Sequence, residues 1–313
     1  MAQNPRPTPI HRREIVGGAS VVVPFDEVGD PDWASFARHV SRVAKVGLTP
    51  AVSMTMDDPL LLRTDLQVGA IYQAEEALAG GSFYAGVHVL DDAGDWFNMD
   101  RYRRQAEVVV NHGGIPVIFP SHGLTALPDE EWLKVMSEMG RDLNQFLVGD
   151  VDANSPSATL RSTDAYVGLL RNPHCIGIAH HSLTRASVWD RLQAHVALRP
   201  DFRLISLNER AIDLAIYGSD YVLFGAAMAP ELFARRDALW ADGDRDFYDL
   251  NSILQYLCNF TSRAPVRGQA HSVLQFMELR DWATNSRMPV GAVSRPDADV
   301  AVLSEIARRL GVL

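Results

Sequence analysis

Short β-branched runs alternate with longer segments of helical periodicity, and this alternation constrains the fold more than any other feature of the chain. The runs end in Gly, Pro or polar residues, as strands do, and apolar residues recur at helical spacing between them. The alternation is typical of βα units on a parallel sheet. Eight strands are predicted, at residues 16–24, 48–53, 83–89, 115–119, 146–150, 175–179, 203–207 and 221–225.

Seven helical segments separate these strands, at residues 33–46, 63–79, 102–112, 129–144, 163–170, 188–197 and 211–217. Eight βα units within residues 15–235 predict a (β/α)8 TIM barrel, a fold that typically takes ~250 residues. The alternative is a doubly wound open sheet. That fold usually has fewer strands and a Gly-rich phosphate turn after the first one, whereas the first strand here runs into Pro24-Phe25-Asp26.

The chain continues well beyond the eighth strand. Further helical segments are predicted at residues 230–243, 247–260, 272–283 and 297–310, which is too much for one barrel helix. We therefore expect three parts: a polar, Pro-rich N-terminal tail at 1–14, the barrel at 15–235, and a C-terminal helical extension at 236–313. The tail lacks the apolar stretch of a secretory signal, so we expect a cytoplasmic protein.

The formal net charge is −10, from 39 acidic and 29 basic residues. This charge repels phosphate backbones and anionic lipids, so nucleic acid and membrane partners are not expected. The longest apolar runs are about half the ~20 residues that a membrane-spanning helix needs. Cys175 and Cys258 lie among apolar residues and are interpreted as buried structural thiols.

The order of motifs resembles the dihydrodipicolinate synthase and N-acetylneuraminate lyase superfamily over residues 15–312. The segments that carry the resemblance are 22–32, 47–57, 175–178, 224–230 and 239–244. The resemblance implies a barrel with C-terminal helices, a small-molecule substrate and a homodimer or homotetramer. It also implies a lysine at the end of strand six that forms a Schiff base with a 2-oxo acid, and a tyrosine on strand four that relays protons.

The chain departs from this family at both catalytic positions. Ala179 stands where the resemblance places the lysine, and Ser121-His122 stand where it places the tyrosine. Because an imine needs a primary amine, Schiff-base chemistry is not expected. The only lysines, Lys45 and Lys134, fall in helices of the predicted outer ring. Of the family's carboxylate-binding loop, Thr55 alone is retained.

Titratable side chains follow five successive strands, at the end of a barrel where active sites form: His88, His122, Asp150, Asp152, His180, His181 and Glu209. Adjacent strand residues point to opposite faces, so at most one of His180 and His181 faces the barrel axis. The sequence requires no cofactor, but His88, Asp150 and Glu209 are possible ligands of Zn²⁺, Mn²⁺ or Mg²⁺. The alternative is that these residues only satisfy backbone groups at strand ends.

His122 is the favoured proton-transfer residue because an imidazole titrates near neutrality and this one lies in a Pro-Ser-His-Gly loop. Ser121 and His180 complete the predicted catalytic set, and the predicted substrate-binding residues are Ser53, Thr55 and Arg210. We expect a lyase that acts on a small oxo-acid or related carbonyl compound by acid-base or metal-assisted chemistry. The alternative is a non-catalytic ligand-binding or scaffold protein that kept the barrel.

Overall fold

The computed structural model describes residues 7–55, 58–151, 161–182, 184–264 and 268–313. Eight parallel strands pair in chain order and close into a barrel. The predicted TIM barrel is confirmed, and all eight predicted strands are present. The strands are β1 Gly17–Val21, β2 Thr49–Val52, β3 Phe83–Val87, β4 Gly114–Ile118, β5 Phe146–Val151, β6 Cys175–His181, β7 Arg203–Ser206 and β8 Asp220–Leu223.

Helices surround the barrel and form the C-terminal extension. They are α1 Trp33–Lys45, α2 Thr64–Leu78, α3 Met99–Asn111, α4 His122–Thr125, α5 Asp129–Leu143, α6 Thr163–Leu170, α7 Arg185–Leu198, α8 Phe224–Met228, α9 Pro230–Asp242, α10 Asp246–Thr261, α11 Gln269–Leu279 and α12 Asp299–Arg309. Two 3-10 helices, Pro59–Leu62 and Glu209–Tyr217, complete the described elements. The domain boundary predicted at residue 235 falls inside α9.

Three short elements depart from the sequence prediction. The strand predicted at 221–225 ends at Leu223, where α8 begins, and the helix predicted at 211–217 is a 3-10 helix that starts at Glu209. The predicted Pro-Ser-His-Gly loop contains the single-turn helix α4. Helices this short lack the repeated apolar spacing from which longer ones are predicted.

The core has two layers because successive strand residues point to opposite faces of the sheet. A small apolar cluster fills the barrel interior, and a larger one fills the space between the sheet and the helices. The interior cluster takes side chains from seven strands and the segments that follow them: Ala51, Met54, Tyr84, Val117, Phe119, Leu147, Val151, Ala179, Ile205 and Val222. This alternation decides which polar residues reach the barrel axis.

Polar side chains occupy the N-terminal end of the barrel. The Arg203 guanidinium donates to Tyr84 Oη at 2.8 Å, and Arg13 pairs with Asp220 at 2.8 Å. Residues at this end of a TIM barrel serve stability, while chemistry occurs at the opposite end. Among the helices of the described residues, none has both the length and the apolar character needed to cross a membrane.

Candidate functional site

The end of β6 places two neighbouring histidines on opposite faces of the sheet. Ala179 is 1% exposed and belongs to the interior cluster, so His181, two residues further on, faces the barrel mouth. Val151, its register partner on β5, is also in that cluster. His180, which was predicted to be catalytic, is turned outward by strand alternation, away from the mouth. There, burial and the nearby Arg191 charge lower its pKa well below the ordinary value.

His88 enters the mouth from the end of β3. Its ring stacks on Phe119 of the interior cluster, with centroids 4.6 Å apart and planes 7° from parallel. Its Nε2 lies 2.7 Å from the Ser53 carbonyl oxygen, which can only accept a hydrogen bond. Burial lowers the pKa of His88 to about 4 although this bond opposes the shift. The ring is therefore neutral at pH 7, with its proton on Nε2 and a lone pair on Nδ1.

Ser53 directly follows β2 and has an unusual backbone conformation, with φ of +55°. A positive φ is costly for a residue other than glycine and persists only where the surrounding structure enforces it. Here the His88 ring holds the Ser53 carbonyl. Gly86 leaves room for the Ser53 carbonyl, because a Cβ at position 86 would lie 2.0 Å from the carbonyl oxygen.

A cavity lies beside the mouth, between the ends of β1 and β2 and the helices α2 and α11. We call it the side cavity. It contains about 440 Å³ of empty space, part of which is open to solvent. The predicted substrate-binding residues Ser53 and Thr55 both line it. Its described lining is Val21, Val22, Val23, Ser53, Met54, Thr55, Leu61, Leu66, Ala70, Phe224 and Ala270.

The predicted pair Ser121 and His122 lies at the start of α4. The Ser121 hydroxyl accepts from Leu124 N at 3.2 Å and so acts as the helix N-cap. The Asp91 carboxylate accepts from the backbone N–H groups of His122 and Gly123 at 2.7 and 2.9 Å. Its partners lie more than thirty residues away, so no local spacing indicates this contact.

Asp150, a predicted metal ligand, lies on the outer face of β5. It forms a buried ion pair with Arg191 of α7 at 2.5 Å, and both side chains are 4% exposed. Arg191 also donates to the Arg161 carbonyl at 3.1 Å, and Arg161 N donates to Asp150 at 3.2 Å. Burial raises the pKa of Asp150, while the arginine charges oppose the rise. The carboxylate is therefore used in an ion pair outside the barrel.

The Arg161 side chain extends from this ion pair to the neighbouring loop, which follows β4. Its Nη2 donates to the Leu124 carbonyl at 2.8 Å, and its Nη1 donates to the Leu127 carbonyl at 2.7 Å. These carbonyls belong to α4 and the turn that follows it. Arg161 thus joins the start of α6 to the short helix that carries His122.

Glu209, another predicted metal ligand, is buried behind β8. Its carboxylate accepts from Phe224 N at 2.5 Å and from Gly225 N at 3.3 Å, which are the first amides of α8. Burial raises its pKa to about 7 although these bonds and the Cys258 thiol oppose the shift. The predicted substrate-binding Arg210 is exposed and donates to the Ser262 carbonyl at 2.8 Å. Arg210 therefore lies away from the mouth.

The predicted metal set does not come together. No group of three or more His, Cys, Asp or Glu residues able to hold a metal lies within the described parts of the chain. His88 faces the mouth, whereas Asp150 and Glu209 are engaged outside the barrel. Asp152 lies outside the described residues. Lys45 and Lys134 are exposed on α1 and α5, on the outer ring as predicted.

No protein-family model matches the chain, and no curated protein matches it significantly. Solved structures do. A prophage protein of the dihydrodipicolinic acid synthase family from E. coli K12, in complex with pyruvate, has a TM-score of 0.80 at 11% identity, over 96% of this chain and 99% of that one. The chain has the fold of dihydrodipicolinate synthase.

Two further structures agree with this fold. Dihydrodipicolinate synthase from Thermotoga maritima has a TM-score of 0.77 at 15% identity, over 96% of this chain and all of that one. Wild-type sialic acid aldolase from Ruminococcus gnavus has a TM-score of 0.75 at 13% identity, over 96% and 99%. The fold implied by the sequence resemblance to dihydrodipicolinate synthase is therefore confirmed along nearly the whole chain.

Proposed function

We propose that the protein is an aldolase-type lyase that acts on a small 2-oxo acid without forming an imine. In place of a Schiff-base lysine, His88 and His181 transfer protons at the barrel mouth. The fold shared with dihydrodipicolinate synthase and sialic acid aldolase supports the lyase class. The observation that carries the proposal is the neutral His88 ring, buried at the mouth beside the side cavity.

The chemistry follows from the two histidines. Nδ1 of neutral His88 accepts a proton from the carbon next to the oxo group, and the released electron pair moves onto the carbonyl oxygen. His181 donates a proton to that oxygen, which gives an enol without any amine. Carbon–carbon bond formation then proceeds by attack of the enol carbon on a second carbonyl carbon, whose oxygen takes up the proton. Cleavage is the reverse: the carbon–carbon bond breaks, the enol is released, and His88 returns a proton to its carbon. Thr55 and Ser53, which line the side cavity, hold the substrate carboxylate in this scheme.

Hydrogen exchange into pyruvate tests the first step, because any enol-forming enzyme exchanges the methyl protons with solvent. We expect proton NMR in D2O to show enzyme-dependent loss of the methyl signal, and borohydride with pyruvate to leave no covalent adduct. His88→Gln and His181→Gln should each slow exchange about 100-fold or more. His174→Gln is the matched control, since residue 174 precedes β6 at the opposite end of the barrel.

A borohydride-trapped adduct would overturn the imine-free chemistry. Exchange that is lost in EDTA and restored by Zn²⁺, Mn²⁺ or Mg²⁺ would replace the two-histidine scheme with a metal-assisted one. A second candidate function is a ligand-binding or scaffold protein, and the stack of His88 on Phe119 in the barrel interior favours it. Absence of exchange with any small 2-oxo acid would support that alternative.

Assembly into a homodimer or homotetramer is part of the proposal. Analytical ultracentrifugation of the full chain is expected to give a mass of two or four copies. A monomer that retains exchange activity would contradict the proposed assembly, while the proposed chemistry would still stand.

A further inference from the structure

We infer that the side cavity binds the alkyl group of the substrate, so that the preferred substrates are 2-oxo acids with a branched three-carbon tail. The inference rests on the proposed function, which supplies the oxo-acid end of the ligand. It adds a second subsite beside the mouth and a substrate class.

The walls of the side cavity are chemically uniform. Of the eleven described residues that line it, nine are apolar, and the other two are Ser53 and Thr55. Leu61 of the first 3-10 helix, Leu66 and Ala70 of α2, and Ala270 of α11 close it. Against the nine apolar residues a charged or strongly polar group would lose its hydration without finding a partner, whereas an alkyl group gains from burial.

The size of the side cavity selects a short alkyl group. The enclosed part of the side cavity has a volume of about 30 Å³. One water needs roughly 10–15 Å³ on this measure, so the space holds about two to three heavy atoms. An isopropyl group fits it, and an aromatic ring does not. The lone methyl group of pyruvate would leave part of the space unfilled.

Ser53 joins the side cavity to the mouth. Its carbonyl is bound by His88, while the residue itself lines the cavity. Its left-handed backbone, with φ of +55°, turns the chain after β2 so that Thr55 also reaches the lining. Backbone strain of this kind concentrates at ligand sites. A ligand bound at Ser53 and Thr55 can therefore present its oxo group to His88 and its tail to the apolar walls.

Calorimetric titration of the full chain with pyruvate and with 3-methyl-2-oxobutanoate tests the inference. The branched acid carries two more carbons, so it should bind about tenfold more tightly. Ala70→Leu fills the cavity and should reduce this preference to about twofold or less. Ala77→Leu, on the same helix but outside the lining, is the matched control and should keep the preference.

Leu61→Ala tests the subsite in the opposite direction, and it keeps the experiment informative if Ala70→Leu does not fold. Enlarging the cavity should move the preference to the longer 4-methyl-2-oxopentanoate by about fivefold or more. Equal binding of pyruvate and the branched acid by the wild type, or equal behaviour of Ala70→Leu and Ala77→Leu, would overturn the subsite. Pyruvate exchange would then still stand for the proposed function, whereas absence of both exchange and binding with every oxo acid would reject the function itself.

Discussion

The two faces of the sheet at its C-terminal end use polar residues in different ways. On the inner face, His88 is neutral, stacks on an aromatic ring and bonds to one backbone carbonyl. On the outer face, Asp150 and Arg191 form a buried ion pair that also contacts the backbone of Arg161. The inner group keeps a basic nitrogen, while the outer groups hold chain segments together. A polar residue at a strand end therefore indicates function only when its face is known.

The outer ion pair gives the largest expected effect on stability. Arg191→Met leaves Asp150 buried without its cation, which should lower the free energy of unfolding by about 3–5 kcal/mol in urea titrations. Arg185→Met is the control, because Arg185 lies on the same helix in an exposed pair with Asp213 and should cost at most ~1 kcal/mol. Equal effects of the two substitutions would remove the distinction between the faces. The double variant Asp150→Leu/Arg191→Met should recover much of the loss.

The pH dependence of stability separates His88 from Glu209 by sign. Burial lowers the His88 pKa to about 4 from 6.5, so its contribution is lost as pH falls through this window. The Glu209 pKa is raised to about 7 from 4.5, so its contribution is lost as pH rises from 4.5 to 7. Each of these two contributions to the free energy of unfolding amounts to at most about 3 kcal/mol. Relative to wild type, His88→Gln should therefore be more stable at pH 5 than at pH 8, and Glu209→Gln the reverse.

Urea titrations of the wild type and both variants at pH 5 and pH 8 measure this difference. Glu278→Gln, at an exposed position on α11, is the control and should leave the wild-type pH profile unchanged. The same sign of change in both variants would contradict the assigned burial of one of the two groups.

The smallest expected effect concerns the cap of α4. Ser121→Ala removes the acceptor of the Leu124 amide and should cost about 1 kcal/mol of stability. Because Asp91 still holds the amides of His122 and Gly123, oxo-acid exchange should change less than threefold. Loss of exchange in Ser121→Ala with stability unchanged would instead give this hydroxyl a direct part in the chemistry.

The sequence predicts the barrel well because its strands and longer helices carry periodic patterns that depend only on local residues. It predicts the site less well. Nothing local tells which of His180 and His181 faces inward, because a one-residue change in strand register exchanges them. The sequence places Asp150 near the end of β5 and Glu209 after β7, but their partners Arg191 and Phe224 are distant in sequence. No sequence pattern shows why residue 86 is a glycine, because the reason is the Ser53 carbonyl that lies against it in the structure.

Arg161 has a consequence for engineering this barrel. TIM barrels acquire new activities by exchange of individual βα loops, since each loop is normally independent of its neighbours. Here the Arg161 guanidinium, from the loop after β5, donates to the carbonyls of Leu124 and Leu127 in the loop after β4. A chimera that transplants only one of these two loops would leave the carbonyls without their donor, or the guanidinium without these two acceptors. The loops after β4 and β5 are therefore structurally coupled. A chimeric barrel should fold only when both loops are exchanged together.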